Sequence, residues 1–553
     1  MIHEVRHGTT YVRKPNAMDL ASLISALSDP AAYPFPVTAA VEVRQTHISV
    51  VFLAGEYAYK IKKPVKLSFL DFSDLEKRRE ICHQEVELNR RLAPDVYLGV
   101  VPVSCNNGRV SFEGSGETIE WAVKMRRLPE AATLEQRLLR DEISLSTIES
   151  LGRRLAGFHA SAIRNDHIAR YGQFQTVAHN IRENCVVSAG SVGVTFSAAV
   201  RDRLTTLTEE ALAQLKPVIE SRAARGVPCD THGDLHLDHV YLFPEQSPPG
   251  DLVIVDCIEF NERFRYTDPV ADLAFLVMDL NFHGRRDLGW ALAEAYFEAS
   301  GDEEGKKLLP LYLSYRAAVR GKVDSLQLTE PEIPAAARAQ AASRGRGHWL
   351  LALHEIEAPG RRPCLVLVGG LPGTGKSTLA RELAAQANFR LIRSDVVRKE
   401  LAKATGDSVV GSQFGSGIYT PDWTDRTYAE CRRRAEEVLF QGERVLVDAT
   451  FVDERRRIEF LEVAQKWGIP VVFLVCQSEP ATIKGRLDAR RGDASDADWN
   501  IYLEVARRWE PPGRRTRRTV RTISTDLSVE SSMQQAWTAL AEAGLVARHW
   551  GLN

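Results

Sequence analysis

The sequence predicts a multidomain chain of mixed class, with an α+β first half followed by an α/β domain of three layers, α/β/α, around a parallel sheet. Three observations lead there. At 553 residues the chain exceeds what one hydrophobic core holds, so several domains are expected. Residues 36 to about 128 alternate apolar and polar side chains with the period of two that marks strands. From residue 363 onward, short apolar runs alternate with amphipathic helical stretches, the pattern of parallel strands covered by helices on both faces.

In chain order, residues 1–35 are a weakly patterned lead-in ending in SDPAAYPFPV. The run THISVVFLAGEYAYKIKKPV then predicts a strand, a tight turn at AGE and a second strand, with Val50 and Phe52 facing one way and Tyr57, Tyr59 and Ile61 repeating the period. DLEKRREICHQEVELNRRL (74–92) reads as a charged helix, and GVVPVSC, GRVSFEG and TIEWAVKMRRL as further strands. Helices dominate afterwards: IESLGRRLAGFHASA sets Ile148, Leu151, Leu155 and Phe158 on one face, and helical stretches recur near 198–224 and 270–325 around a loop-and-strand segment at 230–260. The proline-, alanine- and arginine-rich 328–347 reads as a boundary. The expected organisation is therefore a lead-in over 1–35, a first domain over 36–327, a linker over 328–362 and a second domain over 363–553.

The second domain carries the more specific motif. Gly370-Leu371-Pro372-Gly373-Thr374-Gly375-Lys376-Ser377, followed by Thr378, satisfies G-x-x-x-x-G-K-[ST] between the apolar strand CLVLVGG and the amphipathic helix KSTLARELAAQA. Glycines let main-chain N–H groups face phosphates, and the helix N-terminus adds partial positive charge. Lys376 can neutralise β/γ oxygens, and the Ser377 hydroxyl can ligate Mg2+. Asp395 closes LIRSD and Asp448 falls in VLVDAT, at strand ends where parallel sheets bind ligands. Asp448 suits the metal-side carboxylate and Asp395 an acceptor-side base, with a helix N-cap role the alternative for each. Arg486, Arg490 and Arg491 in RLDARRGDASDAD suit phosphate oxygens, or else form a solvated face. Together, GLPGTGKST, RSDVVRKEL, VLVDATF and RLDARRGDASDAD resemble the P-loop small kinases that include gluconate kinase, zeta toxin and the kinase half of bacteriophage polynucleotide kinase. That resemblance implies phosphorylation of a hydroxyl, with Asp395 as the acceptor-side base and Arg486 and Arg490 in a lid over ATP.

In the first domain, HGDLHLDHV (232–240) reads like the catalytic loop of a kinase, although HGD alone is equally a turn. It is followed by the strand DLVIVDCIEF and by RYTDPVADLAFL. This order resembles the aminoglycoside phosphotransferase family, which has the bilobal protein-kinase fold. The resemblance implies that Asp234 orients and deprotonates an acceptor hydroxyl, that Asp256 binds Mg2+, and that Asp268 and Asp272 brace the loop. A kinase-like site also needs a cation on the phosphates held by a helix carboxylate. Lys60 and Glu85 lie on the right strand and helix, a solvated strand charge being the alternative for Lys60, which Lys62 and Lys63 flank. THISVVFL, YAYKIKKPV and LNRRLAPDVYLGV are similar to a subfamily that joins this domain to a P-loop kinase.

His239 departs from the wider family, where an asparagine ligates a second Mg2+. Imidazole is a poorer partner for that hard ion. One-metal catalysis, replacement by Asp238 or water, and a domain that binds but transfers little all remain open, and His236 with His239 raises zinc as a further reading. Net charge of −2 gives no global pull toward nucleic acid or anionic membrane. The eight scattered cysteines form no C-x-x-C pair, the N-terminus lacks a signal-peptide core, and no apolar run is long enough to span a membrane, so a cytoplasmic protein is expected. The expected function is ATP- and Mg2+-dependent transfer of a γ-phosphate to a small-molecule hydroxyl, such as a sugar or aminosugar. The alternatives are a polynucleotide 5′-hydroxyl kinase in the C-terminal half, favoured by its arginine clusters, and an N-terminal domain that senses nucleotide without catalysis.

Overall fold

A computed structural model describes residues 10–11, 18–67, 70–329, 333–405, 417–489 and 498–547. The chain divides into two compact units. One takes residues up to 177 with 217–277 and 287–306, and the other takes 178–216, 278–286 and 307 onward.

The first unit is bilobal in the way the sequence predicts. Its smaller lobe is a six-stranded antiparallel sheet in the order Glu42–Gln45, Ser49–Ala54, Tyr57–Lys62, Glu117–Arg126, Tyr97–Asn106, Arg109–Phe112. The AGE turn aligns Val50 with Ile61 and Phe52 with Tyr59, and all four side chains are buried. Strict alternation thus puts one apolar face inward. Within the lead-in, the helix Leu20–Leu27, capped by Asp19, lays Leu23 and Leu27 on that face beside Tyr33 and Phe112, so this stretch belongs to the lobe's core. On the opposite face lies the helix Leu75–Arg90, capped by Asp74, through Cys82 and Val86.

The larger lobe is helical, as predicted. Leu145–Ser161 buries Ile148, Leu151, Leu155 and Phe158 and packs tightly on Arg286–Ser300: a Cβ on Gly152 would stand 2.7 Å from the Leu292 carbonyl oxygen. Two short ribbons, Cys229–Asp230 with Tyr266–Thr267 and Val240–Leu242 with Leu252–Ile254, bracket the HGD loop and hold it against this helical body.

The second unit contains a five-stranded, all-parallel sheet in the order Phe389–Arg393, Arg444–Asp448, Leu365–Gly369, Val471–Gln477, Val520–Ser524. Its central strands are buried along their length because helices cover both faces. Val366, Leu379, Leu383, Leu474, Trp537 and Leu540 fill one side. Tyr428, Phe451, Phe460 and Phe473 form an edge-to-face aromatic cluster on the other.

The segment 328–362, expected as a linker, contains the helix Ala335–Ile356. Trp349 in it is fully buried against Leu309–Leu326. Contact with the Trp349 ring is close enough that a Cβ on Gly321 would lie 2.9 Å from it. The stretch is therefore packed structure from Ala341 onward, where the small residues Ala341, Gly345 and Gly347 are buried, whereas Pro334 to Ala337 are exposed.

Two candidate active sites

In the first unit the candidate site is assembled from ribbon, strand and helix. Gly233 has φ +87°, and a Cβ there would meet the Phe264 carbonyl oxygen at 2.9 Å, so the HGD turn needs glycine for conformation and for space. The N–H groups of His232 and Gly233 donate to the two Asp272 carboxylate oxygens at 3.0 and 2.9 Å. His159 Nε2 sits 3.1 Å from the same carboxylate while its Nδ1 meets the Tyr296 hydroxyl at 2.9 Å. Asp268 takes a bidentate fork from Arg222, which also grips Asp302. Asp268 and Asp272 are buried braces, as expected of them.

On this frame the second ribbon brings Asp256 to the loop, because the Val255 N–H donates to the His239 carbonyl at 3.0 Å. Asp256 holds φ +64°, a left-handed conformation that is costly outside glycine and asparagine and is fixed here by its N–H bond to the Tyr97 hydroxyl. Lys60 bridges Asp256 and Glu85, with Nζ 2.8 Å from each carboxylate. Enclosure pushes the Asp256 carboxyl up, but Lys60 and His239 more than offset this and hold it well below the usual carboxylate range. The solvated-charge alternative for Lys60 is set aside: its side chain is only 14% exposed.

Lys62 is fully buried as well, paired with Glu85 at 2.5 Å and with Glu259. The sequence reading missed Lys62 and Glu259. A signal existed, since residues 60 and 62 share a strand face and one cannot be enclosed without the other approaching the same wall.

Asp234 belongs to a cluster with His236 and His239, whose ligand-capable atoms lie within 4.8 Å of one another. His239 donates its Nδ1–H to the Asp234 main-chain carbonyl at 2.9 Å, and its Nε2 stands 3.5 Å from Asp256 Oδ2. Burial first, and then the neighbouring His236, push the His239 ring down to about 4, so it is neutral near pH 7. The structure thus brings together Lys60, Glu85, Asp234, His239 and Asp256.

The second candidate site lies at the carboxyl ends of the parallel strands. Gly370, Gly373 and Gly375 all have positive φ, at +138°, +81° and +80°. The loop is pinned by the Thr374 hydroxyl donating to the Leu371 carbonyl at 2.8 Å, and by the Thr525 hydroxyl, 2.7 Å from the Thr374 carbonyl. The helix Lys376–Gln386 starts at once, with no side-chain cap on its first N–H groups. Such an end is built to receive an anion. Lys376 is buried, and Ser377 and Thr378 are half-buried at the helix start.

Asp448 is in register with Val368 on one side and Arg393 on the other. Arg393 Nε approaches its Oδ2 at 3.4 Å, whereas the buried Oδ1 has no hydrogen-bond partner among the described residues. A carboxylate oxygen left in that state is costly unless a cation meets it, so Asp448 with the Ser377 hydroxyl fits a hard, oxygen-seeking ion such as Mg2+. The N-cap alternatives fail on geometry, because Asp395 lies inside the first turn of Ser394–Thr405 and the helix after Asp448, Glu454–Lys466, has its N-cap position at Asp453. Burial pushes the Asp395 carboxyl up; Asp448 adds to the rise and Lys376 opposes it. Arg486, on Pro480–Asp488, is tied to the Thr525 carbonyl beside the loop, where a Cβ on Gly375 would be 3.6 Å from its Nη1. Arg490 and Arg491 fall outside the described residues.

A model of the phosphotransferase enzyme family matches residues 69–311, and one described as an AAA domain matches residues 365–512. Fold and site thus define a phosphotransferase built from two kinase-type domains. Among its relatives are uncharacterized proteins of Mycobacterium tuberculosis and Mycobacterium bovis, each 33% identical over 480 residues that cover 86% of this chain and 92% of the relative. The chain belongs to the family of these mycobacterial proteins. Solved structures similar to parts of it include a gluconokinase from Sinorhizobium meliloti (15% identity, TM-score 0.26, 33% of this chain and 93% of that one). Another is a choline/ethanolamine kinase family protein from Mesorhizobium loti (15% identity, TM-score 0.35, 60% of this chain and 98% of that one). No helix among the described residues is long and apolar enough to cross a membrane.

Proposed function

We propose that the protein is an ATP-dependent kinase with two nucleotide sites, each passing a γ-phosphate to a hydroxyl of a small molecule such as a sugar or aminosugar. The observation that carries this reading is the convergence at the second site: a glycine loop opening an uncapped helix, buried Lys376, and two carboxylates of opposed character. Asp448 Oδ1 is an orphaned buried anion suited to a metal, and Asp395 is a carboxyl raised by burial, suited to accept a proton. Mg2+, when bound with ATP, would neutralise β/γ oxygens there. The chain's own residues do the remainder. Loop N–H groups and Lys376 hold the phosphates, Arg486 borders them, and Asp395 takes the proton from the acceptor hydroxyl.

In the first unit, Lys60, oriented by Glu85, is placed to hold nucleotide phosphates once a cation engages Asp256, and Asp234 is placed to receive the acceptor proton. Two of the arginine clusters that favour a nucleic-acid reading, apart from RRTRR at 514–518, are committed elsewhere. Arg432, Arg433 and Arg434 pair with Glu459, Glu430, Glu437 and Glu400, and Arg455, Arg456 and Arg457 with Asp425, Asp453 and Glu454. Arginines already paired with carboxylates, two of them (Arg456 and Arg457) buried, weigh against a phosphate-backbone groove.

The test is a screen of transfer from γ-labelled ATP to sugars, aminosugars, nucleosides and 5′-hydroxyl oligonucleotides. Small hydroxyl acceptors are expected to be labelled by the wild type. Labelling confined to oligonucleotides, and falling steeply with salt, would overturn the acceptor assignment.

A further inference from the structure

The metal position of the first unit is built from different donors than that of the second. At the second site the available donors are oxygens, from Asp448 and Ser377. At the first, a nitrogen stands where the strand-end carboxylate points. The Asp234 carbonyl can only accept, so His239 Nδ1 carries the hydrogen of their 2.9 Å bond and Nε2 is the ring atom left to meet a ligand. Nε2 faces Asp256 Oδ2 at 3.5 Å. Two ligands about 2.1 Å from one ion stand roughly 3.0 to 3.4 Å apart.

The arrangement is held from outside. The Nδ1 bond fixes the ring's tautomer and plane, as a carbonyl behind a metal-binding histidine does. The His239 main-chain carbonyl accepts from the Val255 N–H, and the His239 ring lies over His236 with centroids 3.8 Å apart. Asp234, His236 and His239 form a group whose ligand-capable atoms lie within 4.8 Å of one another beside Asp256. Ring and carboxylate flank one short ribbon: His239 immediately precedes the strand Val240–Leu242, and Asp256 lies two residues beyond its partner strand Leu252–Ile254.

We propose that the first unit binds its divalent cation through His239 Nε2 and Asp256, and that this nitrogen-containing site favours a transition ion such as Mn2+ over Mg2+. The proposal rests on reading the Asp234–Asp256 region as a nucleotide site. Mg2+ prefers oxygen and parts reluctantly with water, whereas imidazole nitrogen stabilises first-row transition ions. The two halves of the chain would then respond to different metals, the P-loop half to Mg2+ and the first half to a borderline ion.

Pulsed electron paramagnetic resonance on the full chain tests this, with Mn2+ and a non-hydrolysable ATP analogue. The Lys376→Ala background weakens the P-loop site, and calorimetry on the same sample reports nucleotide binding. The expected spectrum contains 14N modulation from a directly bound imidazole. His239→Asn and His239→Gln, which keep a side-chain donor in place of Nδ1–H, should abolish the modulation while circular dichroism and melting stay unchanged. The ratio of Mn2+ to Mg2+ affinity should fall by about tenfold in both variants. Nucleotide binding with an oxygen-only spectrum would overturn the nitrogen site and leave the kinase reading standing. Modulation that persists in both variants would overturn the assignment to His239. Loss of all nucleotide binding in the Lys376→Ala chain would overturn the kinase reading of the first unit, and this proposal with it.

Discussion

Lys62, Glu85 and Glu259 illustrate what a buried charge does when it is not itself poised for chemistry. All three are enclosed; burial pushes the Glu259 carboxyl up, and the Lys62 ammonium stays charged only because two carboxylates face it. Lys62→Met would leave those carboxylates in a low-dielectric pocket with one cation between them. A loss of about 3 to 5 kcal/mol in unfolding free energy of the first unit is expected, read from urea titration. A variant as stable as the wild type would show that the pair is not enclosed as described. At the other site Asp395 supplies a pH prediction. Its carboxyl is raised, so it must lose its proton at a higher pH than an ordinary carboxyl before it can act as a base. Transfer by the P-loop domain should therefore climb with pH through a limb above about 4. Asp395→Asn should cut kcat/KM by roughly a hundred- to ten-thousandfold and erase the limb. An identical profile in the variant would remove Asp395 from the base role. Lys60, Asp234 and Asp256 were legible because phosphate chemistry concentrates them in compact motifs. The Lys62–Glu259 pair was harder to read, since its members are 197 residues apart and the only local mark is the strand face that Lys62 shares with Lys60.

At the scale of elements, close packing explains both the successes and the misreadings. The hairpin Ser49–Ala54/Tyr57–Lys62 and the parallel strands were legible because their apolar periods are strong and their turns carry glycine. The helix Ala335–Ile356 was read as a boundary because alanine, arginine and proline resemble a linker when the partner surface is unseen. In the fold, small residues there and on Leu309–Leu326 permit close approach. Gly321→Ala would drive a methyl group into the Trp349 ring, and a loss of about 1 to 3 kcal/mol is expected, measured as a lowered melting temperature of the second unit. The glycine loop makes a sharper case. Gly373→Ala would combine φ +81° with a Cβ 2.8 Å from Ile483 Cγ2, so the loop should lose its shape and nucleotide affinity together. Calorimetry should then record one nucleotide per chain where the wild type binds two; two undiminished sites would contradict the account.

For the molecule as a whole, two unrelated architectures on one chain explain why two separate sets of phosphate-site residues occur. The six-stranded antiparallel lobe and its helical partner supply one set, and the parallel sheet supplies the other. The fold class was legible from length, period and motif, whereas the acceptor was not, because the walls of an acceptor pocket are drawn from residues dispersed along the chain. The central claim is that each half is a phosphotransferase in its own right. Transfer from γ-labelled ATP across an acceptor panel, compared among wild type, Lys376→Ala, Asp234→Ala and the double variant, tests it most directly. Each single variant should lose its own domain's product by at least about a hundredfold, keep the other's, and the double variant should label nothing. Undiminished labelling by the double variant, or a single variant that abolishes every product, would contradict it.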